Sequence, residues 1–121
     1  MKVTLWADSI DFIRKESACG IASSYVNYCN ALRTARIDYT HDLSESSDLV
    51  HIHQVFGPRG SGVISDARTK GKKIIIYTHT TPGDYMDSFN FSNLCIPAVT
   101  CLVRHFYSKA DFLISPSSYT L

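Results

Sequence analysis

Two rhythms of apolar residues run along this chain. Short runs rich in β-branched and aromatic residues alternate with longer stretches that carry an apolar group every three or four positions. The run "KVTLWA", starting at Lys2, predicts a first strand. From Gly20 to Arg33 the apolar groups fall at Ile21, Tyr25, Tyr28 or Cys29, and Leu32, which is one stripe of a helix. "ARIDYT", ending at Thr40, predicts a short second strand, although it holds Asp38 and no turn glycine precedes it. "DLVHIHQV", Asp48 to Val55, predicts a third strand, and "GPRGSG" breaks it.

A second helix is expected through "SGVISDARTK", stopped by Gly71 as a C-terminal cap. The successive apolar residues of "KKIIIYTH" predict a strand buried on both faces of a parallel sheet. A polar and aromatic loop should follow from about Thr80 to Asn93. The next helix is expected through "IPAVTCLVRHFYSKA", with Pro97 in its first turn. "DFLIS" is the last predicted strand, ended by Ser115 and Pro116.

Strands alternating with helices predict an α/β fold: a Rossmann-like three-layer α/β/α arrangement around a mainly parallel sheet. Residues 1–121 read as one domain. The helix that should cover the sheet after the last strand has barely started at Leu121. The expectation is therefore either a homo-oligomer that covers the open side or a piece of a longer protein.

Composition narrows the function classes. Apolar residues make up 45% and charged residues 19%, as in globular proteins and unlike disordered ones. Twelve basic residues balance eleven acidic ones, so the bulk charge does not suggest a nucleic-acid partner. The one basic cluster, "RTKGKK" from Arg68, reads as a solvated helix end and turn. No segment has the roughly 20 apolar residues that span a bilayer, and the N-terminus lacks a signal peptide's apolar core. A cytoplasmic protein is expected, with its four cysteines as buried thiols because none has CxxC spacing.

Parallel sheets gather ligands at the carboxyl ends of their strands. The predicted elements bring four features to that edge: the loop from Asp8 to Gly20, the His53-Gln54 end of the third strand, His79, and Ser115 with Ser117 and Ser118. His51 and His53 share a sheet face by the period of two. His51 reads as a deeper, structural histidine, and His53 as a residue at the cleft rim. His79 follows a buried strand, where an imidazole can donate to a phosphate or a sugar hydroxyl, shuttle a proton, or simply end the strand. Gly20 leaves free N–H groups at a helix start, which suit an anion. Arg59 could also meet a phosphate. Tyr85, Phe89 and Phe91 could stack on a sugar, line a lipid-facing groove, or pack their own loop. A zinc site from His53, His79 and Asp84 lacks a nearby carboxylate after the HxH pair, and barrel hydrolases that use such pairs take about 250 residues.

"SDLVHIHQVFGP", "GKKIIIYTHTT" and "FYSKADFLISPSSYTL" together resemble the N-terminal domain of retaining glycosyltransferases of the GT-B fold, family 4 (GT4). The likeness spans nearly the whole chain and is densest from Asp48 onwards. It implies one half of a GT-B fold, the acceptor-side half, with a nucleotide-sugar donor as co-substrate and neither a cofactor nor a metal. His79 matches the family histidine that reaches the donor sugar and the acceptor region. Gly20 matches the loop that approaches the donor phosphates, where the usual glycine pair is reduced to Cys19-Gly20. His53 and Gln54 match residues that line the cleft between domains. The family's C-terminal domain, with the glutamate motif that holds the donor, has no counterpart in these residues, so the chain alone is expected to be inactive. A lipid or glycan acceptor is implied, with at most peripheral membrane contact at the cytoplasmic face. A non-catalytic α/β binding module and a small metal-dependent hydrolase using His53 and His79 stand as alternatives.

Overall fold

Five strands form one sheet in the order β2-β1-β3-β4-β5, and every neighbouring pair runs parallel. The computed structural model describes residues 1–8, 20–54 and 59–116. The strands are β1 (Lys2–Ala7), β2 (Asp38–Thr40), β3 (Leu49–Gln54), β4 (Lys73–Tyr77) and β5 (Phe112–Ile114). The helices are α1 (Gly20–Thr34), α2 (Gly60–Thr69) and α3 (Ser92–Tyr107), with a 3₁₀ turn over Pro82–Tyr85. The expected Rossmann-like α/β/α layering is present.

Strand alternation decides which helix covers which face. Leu5 and Ala7 of β1 pack on one face against Ala22, Tyr25, Cys29 and Leu32 of α1. Trp6, Val50, Ile52, Ile74 and Ile76 form the other face and meet Val63, Ile64 and Ala67 of α2 and Phe106 of α3. Leu5, Ile52, Ile74 and Ile76 have no exposed surface. Each such side chain contributes about 1.5–3 kcal/mol by leaving water.

Several expectations change on this scaffold. β4 is buried on one face only: Ile74 and Ile76 are enclosed, whereas Ile75 and Tyr77 are half-buried. β2 begins three residues later than expected, because Ala35 to Ile37 finish the preceding helix. Arg36 takes a left-handed φ of 53°, and the amides of Arg36 and Ile37 donate to the carbonyls of Arg33 and Leu32. This is the Schellman cap, built without glycine. Gly71, with φ of 66°, closes α2 through the same pair of bonds, Gly71 to Arg68 and Lys72 to Ala67.

α3 starts at Ser92, so Pro97 lies in its second turn rather than its first. Its buried residues are Ser92 and Phe106, while Leu94 and Leu102 are exposed, as are Phe112 and Leu113 of β5. The cysteine expectation fails in part. Cys29 is buried, but Cys95 and Cys101 lie on the outer side of α3. The basic cluster is a paired helix end: Arg68 and Lys73 meet Asp111, Lys70 meets Asp66, and Lys72 reaches Ser47.

Candidate functional site

The chain reverses direction across the sheet between β1 and β3, whose carboxyl ends therefore border a crevice. Asp8 follows β1 at this edge, and its nearly buried carboxylate accepts a 3.0 Å bond from Arg59, the residue before α2. The Arg59 guanidinium also donates to the Asp8 carbonyl at 2.7 Å. Arg59 is thus tied to the β1 end.

The ladder between β1 and β3 slips at this edge. Trp6 pairs with Ile52, but Ala7 pairs with Gln54, leaving His53 as the extra residue of a bulge. A bulge re-aims the side chain it carries. His53 has no exposed surface, against the expectation of a rim position. Tyr25 of α1 meets its ring edge-on at 5.2 Å, and Tyr77 lies tilted at 4.9 Å.

His79 comes from the next strand over. Its amide donates to the Tyr77 carbonyl two residues back, at 3.1 Å, and this tight turn folds the imidazole onto the Tyr77 ring. The two rings stack at 4.3 Å with an 18° tilt. Nε2 of His79 then lies 2.8 Å from Nε2 of His53, so one nitrogen donates and the other accepts. Downstream, the Tyr107 hydroxyl of α3 donates to the Thr80 carbonyl at 2.9 Å and holds the segment that leaves His79. Burial pushes that phenol's pKa up to about 12.

His51 sits deeper on the same face, as expected. It packs edge-on against Tyr28 at 4.2 Å, and neither of its nitrogens has a hydrogen-bond partner among the described residues. Burial lowers the pKa of all three imidazoles, to about 4 for His51 and His79 and about 3 for His53. At neutral pH the cluster is uncharged. It can exchange hydrogen bonds with a hydroxyl, but it is a weak proton acceptor and cannot hold a phosphate by charge.

Gly20 opens α1 at the same edge and is exposed. A Cβ there would meet no atom within 4 Å, so the described fold does not itself demand glycine. Together with Ser23, Ser24, Asn27, Tyr28, Ala31 and Tyr77 it lines a groove of about 480 Å³. Gln54 ends β3 half-buried, and its side chain makes no hydrogen bond among the described residues. Ser115 follows β5, where Thr78 donates to the Ile114 carbonyl. Ser117, Ser118 and Cys19 lie outside the described residues. Asp84 is committed locally, accepting from the Thr81 amide at 2.6 Å. Among the described residues, no three of His, Cys, Asp and Glu converge as a metal-ligand set.

Sequence reasoning missed the aromatic wall around the histidines. Tyr25 and Tyr28, counted there only as parts of an apolar stripe, are the surfaces that enclose His51 and His53. His41 was missed altogether. Its Nδ1 lies 2.8 Å from the Tyr25 hydroxyl and 3.2 Å from the Leu5 carbonyl. Nothing in the spacing of "YTHDLSESS" marks it; only the parallel pairing of β2 on β1 brings it there.

Comparison with known proteins finds similarity to a glycosyltransferase. The processive diacylglycerol alpha-glucosyltransferase of Acholeplasma laidlawii is 29% identical over 120 residues, which is 99% of this chain and 34% of that enzyme. The chain thus spans about a third of the length of the curated relative it matches. No protein-family model and no solved structure matches it. Among the described residues, no helix is long and apolar enough to cross a membrane.

Proposed function

We propose that this chain is the acceptor-side half of a retaining, GT4-type glycosyltransferase that moves a sugar from a nucleotide-sugar to the hydroxyl of a lipid acceptor. The observation that carries the reading is the similarity, over 99% of the chain, to a diacylglycerol alpha-glucosyltransferase. The uncharged histidine pair at the carboxyl edge of the sheet supports it. In this reading His79 contacts a sugar or acceptor hydroxyl, and the free amides at the start of α1, from Gly20, face the donor phosphates. Gln54 offers its amide to the cleft wall. A C-terminal domain supplies the rest of the donor site, so the chain alone turns over slowly or not at all. Its place is at the cytoplasmic face of a membrane, in peripheral contact.

A chimera tests this. Residues 1–121 replace the aligned third of the Acholeplasma enzyme, and transfer of radiolabelled glucose to diacylglycerol in mixed micelles is measured. The expected result is transfer by the chimera and a loss of about 100-fold or more with His79→Ala. A folded chimera that transfers no glucose sinks the proposal and leaves the reading of a non-catalytic binding module.

A further inference from the structure

We infer that the amino-terminal half of α3, with Phe91 ahead of it, is a membrane-docking surface that lies in the headgroup boundary of a bilayer and brings the crevice to the lipid. The inference deepens the proposed function and rests on its reading of the acceptor as a lipid.

α3 is apolar on the side that the fold leaves open. Ser92 to Val103 holds no charged residue, and the helix contains no Asp or Glu at all. Leu94, Ala98, Cys101 and Leu102 recur at spacings of three and four, so they form one stripe, and all four are exposed. Leu94 is 77% exposed, and Phe91, just before the helix, is 80% exposed. Ile96, Val99 and Val103, on the opposite side, face the fold and are half-buried. A contiguous apolar surface of this kind marks a place of contact.

The sheet holds only the last turn of this helix. Phe106 sits in the core with Tyr107 packed beside it, and the Tyr107 hydroxyl donates to the Thr80 carbonyl at 2.9 Å, beyond the end of β4. From that anchor the helix runs back about 20 Å to Leu94, at roughly 1.5 Å per residue. There it lies against the 3₁₀ turn, which follows His79 directly in the chain. Phe91 and Leu94 therefore stand near the edge of the sheet that carries His79.

Charge and length select the occupant. Arg104 closes the stripe, exposed and with no side-chain partner among the described residues. Lys109 lies just beyond, bonded to His105 at 2.8 Å. At the other end the carboxylates are taken up within their loop: Asp87 accepts from the Asn93 side-chain amide at 2.9 Å, and Asp84 from the Thr81 backbone amide at 2.6 Å. Apolar side chains bordered by cations suit acyl chains under anionic headgroups. The uncharged stretch is too short to span a bilayer, so the helix lies in its surface. A second copy laid on the stripe would bury Arg104 against a helix with no carboxylate to meet it. A lipid acceptor keeps its chains in the bilayer and offers its hydroxyl at the boundary, which is the plane this surface reaches.

Co-sedimentation of the 121-residue chain with vesicles tests the inference. Expected is binding to phosphatidylcholine vesicles, and tighter binding when phosphatidylglycerol is added. Phe91→Asn with Leu94→Gln should weaken it about 10-fold or more. Asparagine suits the left-handed φ of 64° at Phe91, so the fold is kept. Val26→Gln removes an apolar side chain that is 51% exposed on α1 and should change nothing. Arg104→Gln should weaken only the added binding to phosphatidylglycerol. In nanodiscs, a spin-labelled lipid should broaden the amide signals of Phe91 to Leu102 and spare those of α1 and α2. A chain that stays in the supernatant overturns the inference, and so does binding that the double variant leaves intact. A dimer that the double variant dissolves, with no vesicle binding, overturns it in favour of a second copy. Vesicle binding needs neither donor nor transfer, so its failure is distinguishable from a chimera that transfers no glucose in micelles.

Discussion

His51 and Tyr28 meet edge to face with ring centroids 4.2 Å apart, and the imidazole held in this contact has no hydrogen-bond partner at either nitrogen among the described residues. A buried polar group left unpaired costs about 1–3 kcal/mol. His51→Leu removes the polar atoms while keeping an apolar side chain between Tyr28 and Tyr77. We expect the variant to unfold at higher urea than wild type. A midpoint lowered by more than the loss of a ring contact explains would show that His51 has a partner or a role of its own.

The histidine cluster makes stability depend on pH in a defined direction. Unfolded, these imidazoles titrate near 6.5; folded, His51 and His79 titrate at about 4 and His53 at about 3. Between those values the unfolded chain binds more protons, so stability rises with pH. It is greatest above 6.5 and is lost as the pH falls towards 4. Urea midpoints measured across this window should fall steadily, and His51→Leu should flatten the slope by the share of one proton. The depressed carboxylates of Asp42, Glu45 and Asp111 act in a lower range, below their ordinary values. A wild-type midpoint that does not move would mean the cluster is hydrated and titrates normally.

Two helices end in the same cap with different residues in the left-handed position. Gly71 closes α2 without strain, while Arg36 closes α1 at a φ of 53°. The left-handed region costs an ordinary L residue about 1 kcal/mol or more. Arg36 is exposed at this turn. Arg36→Gly should therefore stabilise the chain by about 1 kcal/mol, and Gly71→Ala should destabilise it by a similar amount. Equal and opposite shifts in melting temperature check both at once.

Pro97 interrupts α3 at its sixth residue, where it lacks the amide that would donate to the Asn93 carbonyl. Replacement by alanine restores that bond. Pro97→Ala should raise helical circular dichroism and stability by about 1–3 kcal/mol. No gain would mean that the helix is already bent around the proline at no cost.

The fold was readable where local pattern and tertiary packing agree. Runs of β-branched residues and helical stripes located the five strands and three helices of the described residues, since most of those apolar positions face the sheet's two cores. Boundaries failed where a local device intervenes. Arg36 in a cap normally made by glycine hid the true start of β2, and the exposed apolar residues of α3 gave no amphipathic edge from which to place its start at Ser92. At the site, alternation placed His51 and His53 on one face, as found. It could not place His53 in depth, because burial comes from Tyr25 and Tyr77 on other elements and from a slip in the ladder. His41 was invisible because its partner residues, Leu5 and Tyr25, lie on separate elements.

That slip at His53 has a consequence for how the molecule can change. Val50 and Ile52 are locked into both neighbouring strands, while His53 falls outside the regular pairing on either side. His53 is thus held by the rings around it and not by the ladder, which resumes beyond it where Gln54 pairs with Ala7. A ligand drawing on His79 can shift His53 by tenths of an ångström without tugging on the sheet. The shape of the cleft floor at this point is therefore set by the rings of Tyr25 and Tyr77, and not by the hydrogen bonds of the sheet.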